Sequence, residues 1–225
     1  MAELAPAVEA RPFRRRVTRS FARLVLPESV IVWSGPRQRR RIALTFDDGP
    51  TELTREYLDV LERFDARATF FLIGESCHGR RGLLDEMLDR GHELGEHGYS
   101  HRRFPESALR HELGRELART RAVLPARARR WVRPPYGDVS AESLWACARR
   151  GYRTVLWSHD SDDCRSRNAA TIESKTSPGV LGPGAIVLLH DGQDWTLAVL
   201  ADVLQRLRDS GYELVTVGRL LGGEP

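Results

Sequence analysis

The feature that most constrains this chain is a repeated alternation of short apolar segments with helical patterns after Gly35-Pro36. The apolar runs have the length of buried strands, and the order strand, helix, strand is kept about seven times. Such an order is typical of a parallel sheet covered by helices. We therefore predict an α/β fold, and the strand count favours a distorted (β/α) barrel of about seven parallel strands. The predicted strands are Ile42–Phe46, Thr69–Ile73, His92–Glu96, Trp131–Arg133, Thr154–Trp157, Ile186–Leu189 and Glu213–Val217, and the predicted helices are Thr54–Phe64, Gly82–Arg90, Ser107–Leu124, Ala141–Arg150 and Leu197–Ser210.

The N-terminal segment differs from the rest of the chain in its charge. Residues 1–41 carry ten arginines and three glutamates, a balance of +7, so the remainder must sum to −3 for the net charge of +4. Apolar residues recur at helical spacing from Phe13 to Leu24 with arginines between them, which predicts a basic amphipathic helix. That helix either packs on its own domain or lies weakly on an anionic membrane surface. We therefore divide the chain into a basic leader, 1–39, and a second unit, 40–225.

Charge and hydropathy also narrow the classes of function. Because the basic excess is confined to the leader, the slightly acidic body argues against nucleic acid as a partner. No apolar run approaches the roughly 18 residues that span a bilayer, and arginines interrupt the apolar positions of the leader. We expect a cytoplasmic protein, with membrane-peripheral association as the alternative. The three widely spaced cysteines predict no disulfide framework.

Polar clusters follow five of the predicted strands. Parallel strands bring their carboxyl ends to one face of a barrel, so these clusters are expected to meet there. Two histidines four residues apart in one cluster suit a single metal ion, and Asp48 would complete a two-histidine, one-carboxylate site with open coordination positions. Taken singly, each cluster also fits an ordinary turn or a rim residue; the whole set at one face predicts a site. The clusters are TFDDG at 45–49, HGYSH at 97–101, RPPY at 133–136, DSDDC at 160–164 and LLH at 188–190.

Together these segments resemble the polysaccharide deacetylase family, carbohydrate esterase family four. That family shows the motifs TFDDG, H-(S/T)-x-x-H, RxPY, DxxDW and LxH in this order. Three of the motifs are intact here, whereas Gly98 stands at the serine or threonine of the second motif and Cys164 at the tryptophan of the fourth. The resemblance covers roughly 40–221, implies a distorted (β/α) barrel, and makes 40–225 the catalytic domain.

The resemblance implies that Asp48, His97 and His101 hold a divalent metal ion. Zn²⁺ is the expected ion, with Co²⁺, Mn²⁺ and Ni²⁺ as alternatives. We expect Gly98 to weaken the affinity for the metal, because it removes a hydroxyl that steadies the histidine loop. We expect Cys164 to widen the pocket, because it removes an aromatic wall.

The resemblance also implies an acid and a base. It makes Asp47 the general base, oriented by Arg133, and it makes His190 the general acid, paired with Asp160. The resemblance implies two substrate-binding residues as well. Tyr136 would donate its backbone N–H to the oxyanion, and Leu188 would line the pocket for the acetyl methyl group.

The activity that the resemblance implies is removal of N-acetyl groups from N-acetylglucosamine-type units of a polysaccharide or oligosaccharide. The expected partner is therefore an acetylated amino-sugar glycan. An O-acetyl esterase or a deformylase acting on a modified or lipid-linked sugar is the alternative within enzymes. A catalytically inactive carbohydrate-binding barrel is the alternative outside them, and the intact polar residues of the five motifs weigh against it.

Overall fold

The computed structural model describes residues 26–109 and 112–223. The helix predicted between Phe13 and Leu24 lies outside the described residues. Within the predicted leader, residues 31 and 32 form a short strand that pairs in parallel with the barrel sheet. This part of the leader is therefore joined to the sheet.

Within the described residues the strands form one nine-stranded sheet in which every pair is parallel. They are β1 Ile31–Val32, β2 Arg41–Asp47, β3 Thr69–Leu72, β4 Glu93–Glu96, β5 Trp131–Val132, β6 Arg153–Val155, β7 His159–Asp160, β8 Ile186–His190 and β9 Glu213–Val215. Their spatial order is β1-β6-β5-β4-β3-β2-β8-β7, with β9 beside the start of β2. The prediction of an α/β fold with a distorted (β/α) barrel is confirmed. Only β1 and β7 are missing from the predicted strands, because two residues are too few to show a hydrophobic pattern.

Helices pack against this sheet, most of them on its outer face; Val217 and Leu220, in the last of them, pack with inner-face residues instead. The helices are α1 Thr54–Arg63, α2 Arg81–Asp89, α3 Phe104–Leu109, α4 Leu113–Val123, α5 Ala141–Ala148, α6 Asp163–Ser166, α7 Ala169–Lys175, α8 Asp194–Asp209 and α9 Val217–Leu220. The prediction of one helix over Ser107–Leu124 is wrong, because the chain forms α3 and α4 there. At Gly114, near the start of α4, an added Cβ would collide with the guanidinium of Arg150, so the glycine allows a close approach to the end of α5. The short helices α6, α7 and α9 were not predicted from the sequence.

The alternation of side chains along β2 assigns one face to the helices and one to the barrel interior. Ile42, Leu44 and Phe46 are fully buried in the larger apolar core, which they share with residues of α1, α2 and α8. Successive side chains of a strand point to opposite faces, so Thr45 and Asp47 face the interior. The last interior position of β2 is thus a carboxylate.

The same alternation in β8 brings a histidine beside that carboxylate. Val187 and Leu189 belong to the larger core, whereas Leu188 lies in a second apolar cluster on the inner face. His190 therefore faces inward, and the parallel register pairs it with Asp47. Register neighbours on adjacent strands lie about 5 Å apart, so the sheet itself holds these two residues side by side.

Candidate metal centre and active site

The three predicted metal ligands converge at the carboxyl ends of β2 and β4. Oδ1 of Asp48 lies 3.2 Å from Nε2 of His101 and 3.5 Å from Nε2 of His97. One ligand atom from each residue lies within 4.8 Å of the other two. Three side chains from two segments that are far apart in sequence thus face a common point.

Local backbone geometry aims these side chains. Asp48 has a φ of 71° and His101 a φ of 56°, left-handed conformations that turn each side chain away from the direction of a strand. His97 follows β4, and its Nδ1 lies 2.7 Å from the carbonyl oxygen of Arg133. Nδ1–H donates to that carbonyl, which leaves the lone pair of Nε2 directed at the other two ligands.

The chemistry of this donor set fits a divalent cation. Oδ1 of Asp48 is buried and receives no hydrogen bond of good geometry from the described residues, although imidazole nitrogens surround it. Burial raises the pKa of Asp48, but the adjacent imidazole of His101 and the charges of His97 and His190 outweigh it and lower the pKa to about 2. Burial lowers the pKa of His97. An ionised carboxylate and neutral imidazoles are the protonation states that metal ligands require.

Arg133 holds the second aspartate of the first motif in place. Its guanidinium is fully buried, and Nη1 donates to Oδ1 of Asp47 at 2.8 Å and to the hydroxyl of Thr45 at 2.8 Å. Nε and Nη2 donate to the carbonyl oxygens of Val155 and Leu156, both at 3.1 Å. These hydrogen bonds fix the guanidinium, and through it the carboxylate of Asp47. The structure thus brings Arg133 and Asp47 together as predicted.

The predicted pairing of His190 with Asp160 is wrong; the partner is Asp163. Oδ1 of Asp163 lies 2.7 Å from Nδ1 of His190. Its Oδ2 accepts the backbone N–H of His190 at 2.8 Å and the hydroxyl of Thr196 at 3.0 Å. Burial lowers the pKa of His190, but the hydrogen bond to Asp163 and the charges of Asp163, Asp47 and Asp48 outweigh it and raise the pKa to about 9.

Asp160 has other partners because the chain reverses direction just after it. Its carboxylate accepts the backbone N–H of Asp162 at 2.9 Å and an N–H of Arg165 at 3.3 Å. Asp162 has a φ of 63°, and this left-handed turn starts α6 with Asp163 pointing back toward β8. The sequence signal for Asp163 was the second aspartate of the fourth motif. The motif alone does not say which of its two aspartates pairs with His190; the left-handed turn at Asp162 decides it.

The two predicted substrate-binding residues lie near residues of this centre. Tyr136 has a φ of 61° and is 58% exposed, and its ring centroid lies 4.8 Å from that of His101. The guanidinium of Arg103 lies over the same ring at 4.2 Å. Leu188 is buried two residues before His190. Their roles toward the oxyanion and the acetyl methyl group stay predictions.

The two departures from the family motifs are both close to this site. Gly98 has a φ of 81°, a conformation that strains residues with a Cβ. Cys164 is an exposed free thiol directly after Asp163. A weakened affinity for metal and a widened pocket stay predictions.

Comparisons with known proteins agree with this architecture. The family model described as polysaccharide deacetylase matches residues 34–155. A peptidoglycan-N-acetylglucosamine deacetylase of Bacillus cereus is 34% identical over 207 residues, which cover 87% of this chain and 94% of the relative. The structure of peptidoglycan deacetylase PdaC from Bacillus subtilis superposes with a TM-score of 0.74 at 31% identity and covers 82% of this chain and 91% of that one.

Another relative is considerably longer than this chain. Peptidoglycan-N-acetylglucosamine deacetylase PgdA of Listeria monocytogenes is 35% identical over 211 residues, which cover 92% of this chain but 44% of the relative. The chain therefore spans less than half the length of that relative.

Within residues 26–109 and 112–223, no helix has the length and apolar character needed to cross a bilayer. The cytoplasmic location and the weak membrane-surface association expected from the sequence stay predictions.

Proposed function

Because this chain belongs to the polysaccharide deacetylase family, we propose that it is a metal-dependent hydrolase that removes N-acetyl groups from N-acetylglucosamine-type units of a glycan. The names of the B. cereus and L. monocytogenes relatives, both deacetylases of peptidoglycan N-acetylglucosamine, support this substrate class. The observation that carries the proposal is the position of the Asp48, His97 and His101 cluster beside two separately supported acid–base groups.

Asp48, His97 and His101 are the residues that would hold the cation. Two imidazoles and one carboxylate favour Zn²⁺, and Co²⁺, Mn²⁺ or Ni²⁺ suit the same donors. When bound, such a cation acts as a Lewis acid toward the oxygen of an acetamide carbonyl and toward water.

Asp47 is the proposed general base. The guanidinium of Arg133 holds its Oδ1, which leaves Oδ2 to accept a proton from the attacking water. Oδ2 lies 3.8 Å from Nε2 of His97, so this oxygen faces the metal centre. The backbone N–H of Tyr136 is the proposed additional donor to the oxyanion that forms after attack.

His190 is the proposed general acid. Its Nδ1–H is committed to Asp163, so the proton that reaches the leaving amine comes from Nε2. An amine is a poor leaving group until it is protonated, and a pKa raised to about 9 keeps this imidazole protonated at neutral pH. The sheet register places this acid beside the base on β2.

Acetate release from a panel of substrates tests the proposal. The Zn²⁺-loaded chain is compared with a chelator-treated control on N-acetylglucosamine oligomers, acetylated xylan and formamido sugars. We expect acetate from the oligomers alone and none after chelation. Faster release from xylan would make the chain an O-acetyl esterase, and formate release would make it a deformylase. Glycan binding without any release by metal-loaded protein would identify an inactive binding barrel.

Replacing Asp47 with asparagine separates the base from the metal ligands. Asparagine has nearly the same shape as aspartate and its side-chain oxygen can still accept a hydrogen bond from Arg133, so the guanidinium keeps a polar partner although its charge is no longer neutralised. We expect kcat to fall by about 100-fold or more, the range for loss of a general base, while bound Zn²⁺ is unchanged. Metal content and acetate release are measured on the same sample. Loss of the metal would mean that the roles of the adjacent aspartates are exchanged.

A further inference from the structure

The loop between the two histidine ligands has its backbone groups held from two sides. The carbonyl oxygens of Gly98 and Tyr99 accept the N–H groups of Gly74 and Glu75, both at 2.9 Å. These donors belong to the turn that follows β3. The N–H groups on the opposite side of the loop need a different partner, because buried backbone donors are rarely left without an acceptor.

That partner is a single carboxylate oxygen. Oε2 of Glu116 accepts the backbone N–H of Tyr99 at 3.2 Å, the backbone N–H of Ser100 at 3.0 Å and the hydroxyl of Ser100 at 2.9 Å. The loop is bounded by two left-handed residues, Gly98 and His101, and Gly98 has no side chain with which to hold it. The described hydrogen bonds thus attach this loop to α4 through Glu116.

Glu116 itself lies on a firmly packed element. It is 9% exposed, and the adjacent Leu117, at 1% exposed, packs in a third apolar cluster with Val132 of β5. One turn later, the guanidinium of Arg119 lies 3.6 Å from the centroid of the Tyr99 ring. The carboxylate therefore links the loop to a helix that cannot move without disturbing the core.

We propose that Glu116 is a positioning residue that sets the geometry of His97 and His101 and thereby the affinity of the centre for a divalent cation. The inference rests on the metal site of the proposed function. Glu116 touches neither the cation nor the substrate; it acts through the backbone of residues 99 and 100. A neutral amide in its place accepts these hydrogen bonds more weakly, because bonds to an ionised acceptor are roughly twice as strong.

The test compares Zn²⁺ affinity in Glu116→Gln with that of the unaltered chain. Competition with a chromophoric chelator measures Kd directly, without reference to any glycan. Loss of a group that supports a ligand typically costs about 10–100-fold in metal affinity, so we expect Kd to rise by about 10-fold or more. The increase in Tm on addition of Zn²⁺ should shrink accordingly. At saturating Zn²⁺ we expect kcat to recover most of its original value, because no catalytic group is removed.

Leu117→Val is the matched control on the same helix. It loses buried apolar volume beside Glu116 but leaves every hydrogen bond to the loop, so it should lower Tm and leave Kd for Zn²⁺ within about twofold. An unchanged Kd in Glu116→Gln would overturn the inference, as would an equal rise in Leu117→Val.

The same measurements distinguish this inference from the proposed function. If the unaltered chain binds no Zn²⁺, both are wrong. If Zn²⁺ affinity depends on Glu116 but no glycan releases acetate, the positioning role stands and the proposed activity fails.

Discussion

Replacing His101 with alanine should remove both the bound cation and the hydrolytic activity. The side chain supplies one of three converging ligands, and Asp48 and His97 alone leave the centre with two. Loss of a group that merely supports a ligand costs about 10–100-fold in metal affinity or activity, so loss of a ligand itself should exceed about 100-fold. Because this side chain is 27% exposed, the fold should tolerate its truncation. Metal content by mass spectrometry and acetate release by a coupled assay give the two readouts.

His159→Ala is a suitable control for this variant. The register pairs His159 with Val187, which belongs to the core on the outer face of the sheet, so this imidazole points away from the metal centre. The control should keep both metal and activity. Full Zn²⁺ content in His101→Ala would contradict the assignment of His101 as a ligand.

Asp163→Asn should shift the pH range in which the enzyme works. Burial lowers the pKa of His190, but the Asp163 carboxylate, together with the charges of Asp47 and Asp48, raises it to about 9, so the acid form persists through neutral pH. Without that charge, burial favours the neutral imidazole and the pKa falls, so the proton donor is lost as the pH rises through a lower value. The alkaline limb of kcat/KM should move to lower pH. At pH 8 the rate should fall by about 100-fold or more, the range expected for loss of a general acid.

Asp160→Asn decides between the two aspartates of the fourth motif. Asp160 binds the Asp162 backbone and Arg165, so its neutralisation should leave the alkaline limb where it is. If the alkaline limb of kcat/KM moved as far in Asp160→Asn as in Asp163→Asn, the pairing of His190 with Asp160 first predicted from the sequence would be restored. Rate profiles from pH 5 to 10, with Zn²⁺ content checked at each end, distinguish these results.

The strands of the barrel were predictable because their signal is local. The predicted apolar run Ile186–Leu189 is buried on both faces, so its composition alone marks it as a strand of a parallel sheet. The two-residue strands β1 and β7 have no such signal, and they form only because neighbouring strands offer hydrogen-bond partners.

The residues of the site likewise include some that could be predicted from the sequence and one that could not. Asp48, His97 and His101 were predictable because Asp48 and His97 directly follow strands, His101 lies four residues beyond His97, and parallel strands end at one face. Glu116 was not predictable, since it lies 16 residues beyond Ser100 on a helix and belongs to none of the motifs. Its contact with the histidine loop arises where α4 packs against the sheet.

The sequence by itself determined which residue types are present and which ends of strands carry them, because hydrophobic periodicity and short motifs are properties of neighbouring residues. Only the tertiary structure decided which carboxylate meets which partner. Asp163 rather than Asp160 reaches His190 because one left-handed residue, Asp162, reverses the chain between them. Which carboxylate pairs with His190 depends on backbone turns and on contacts between distant segments. The hydrogen bond between Asp163 and His190 forms at 2.7 Å only when both place the two side chains within hydrogen-bonding distance.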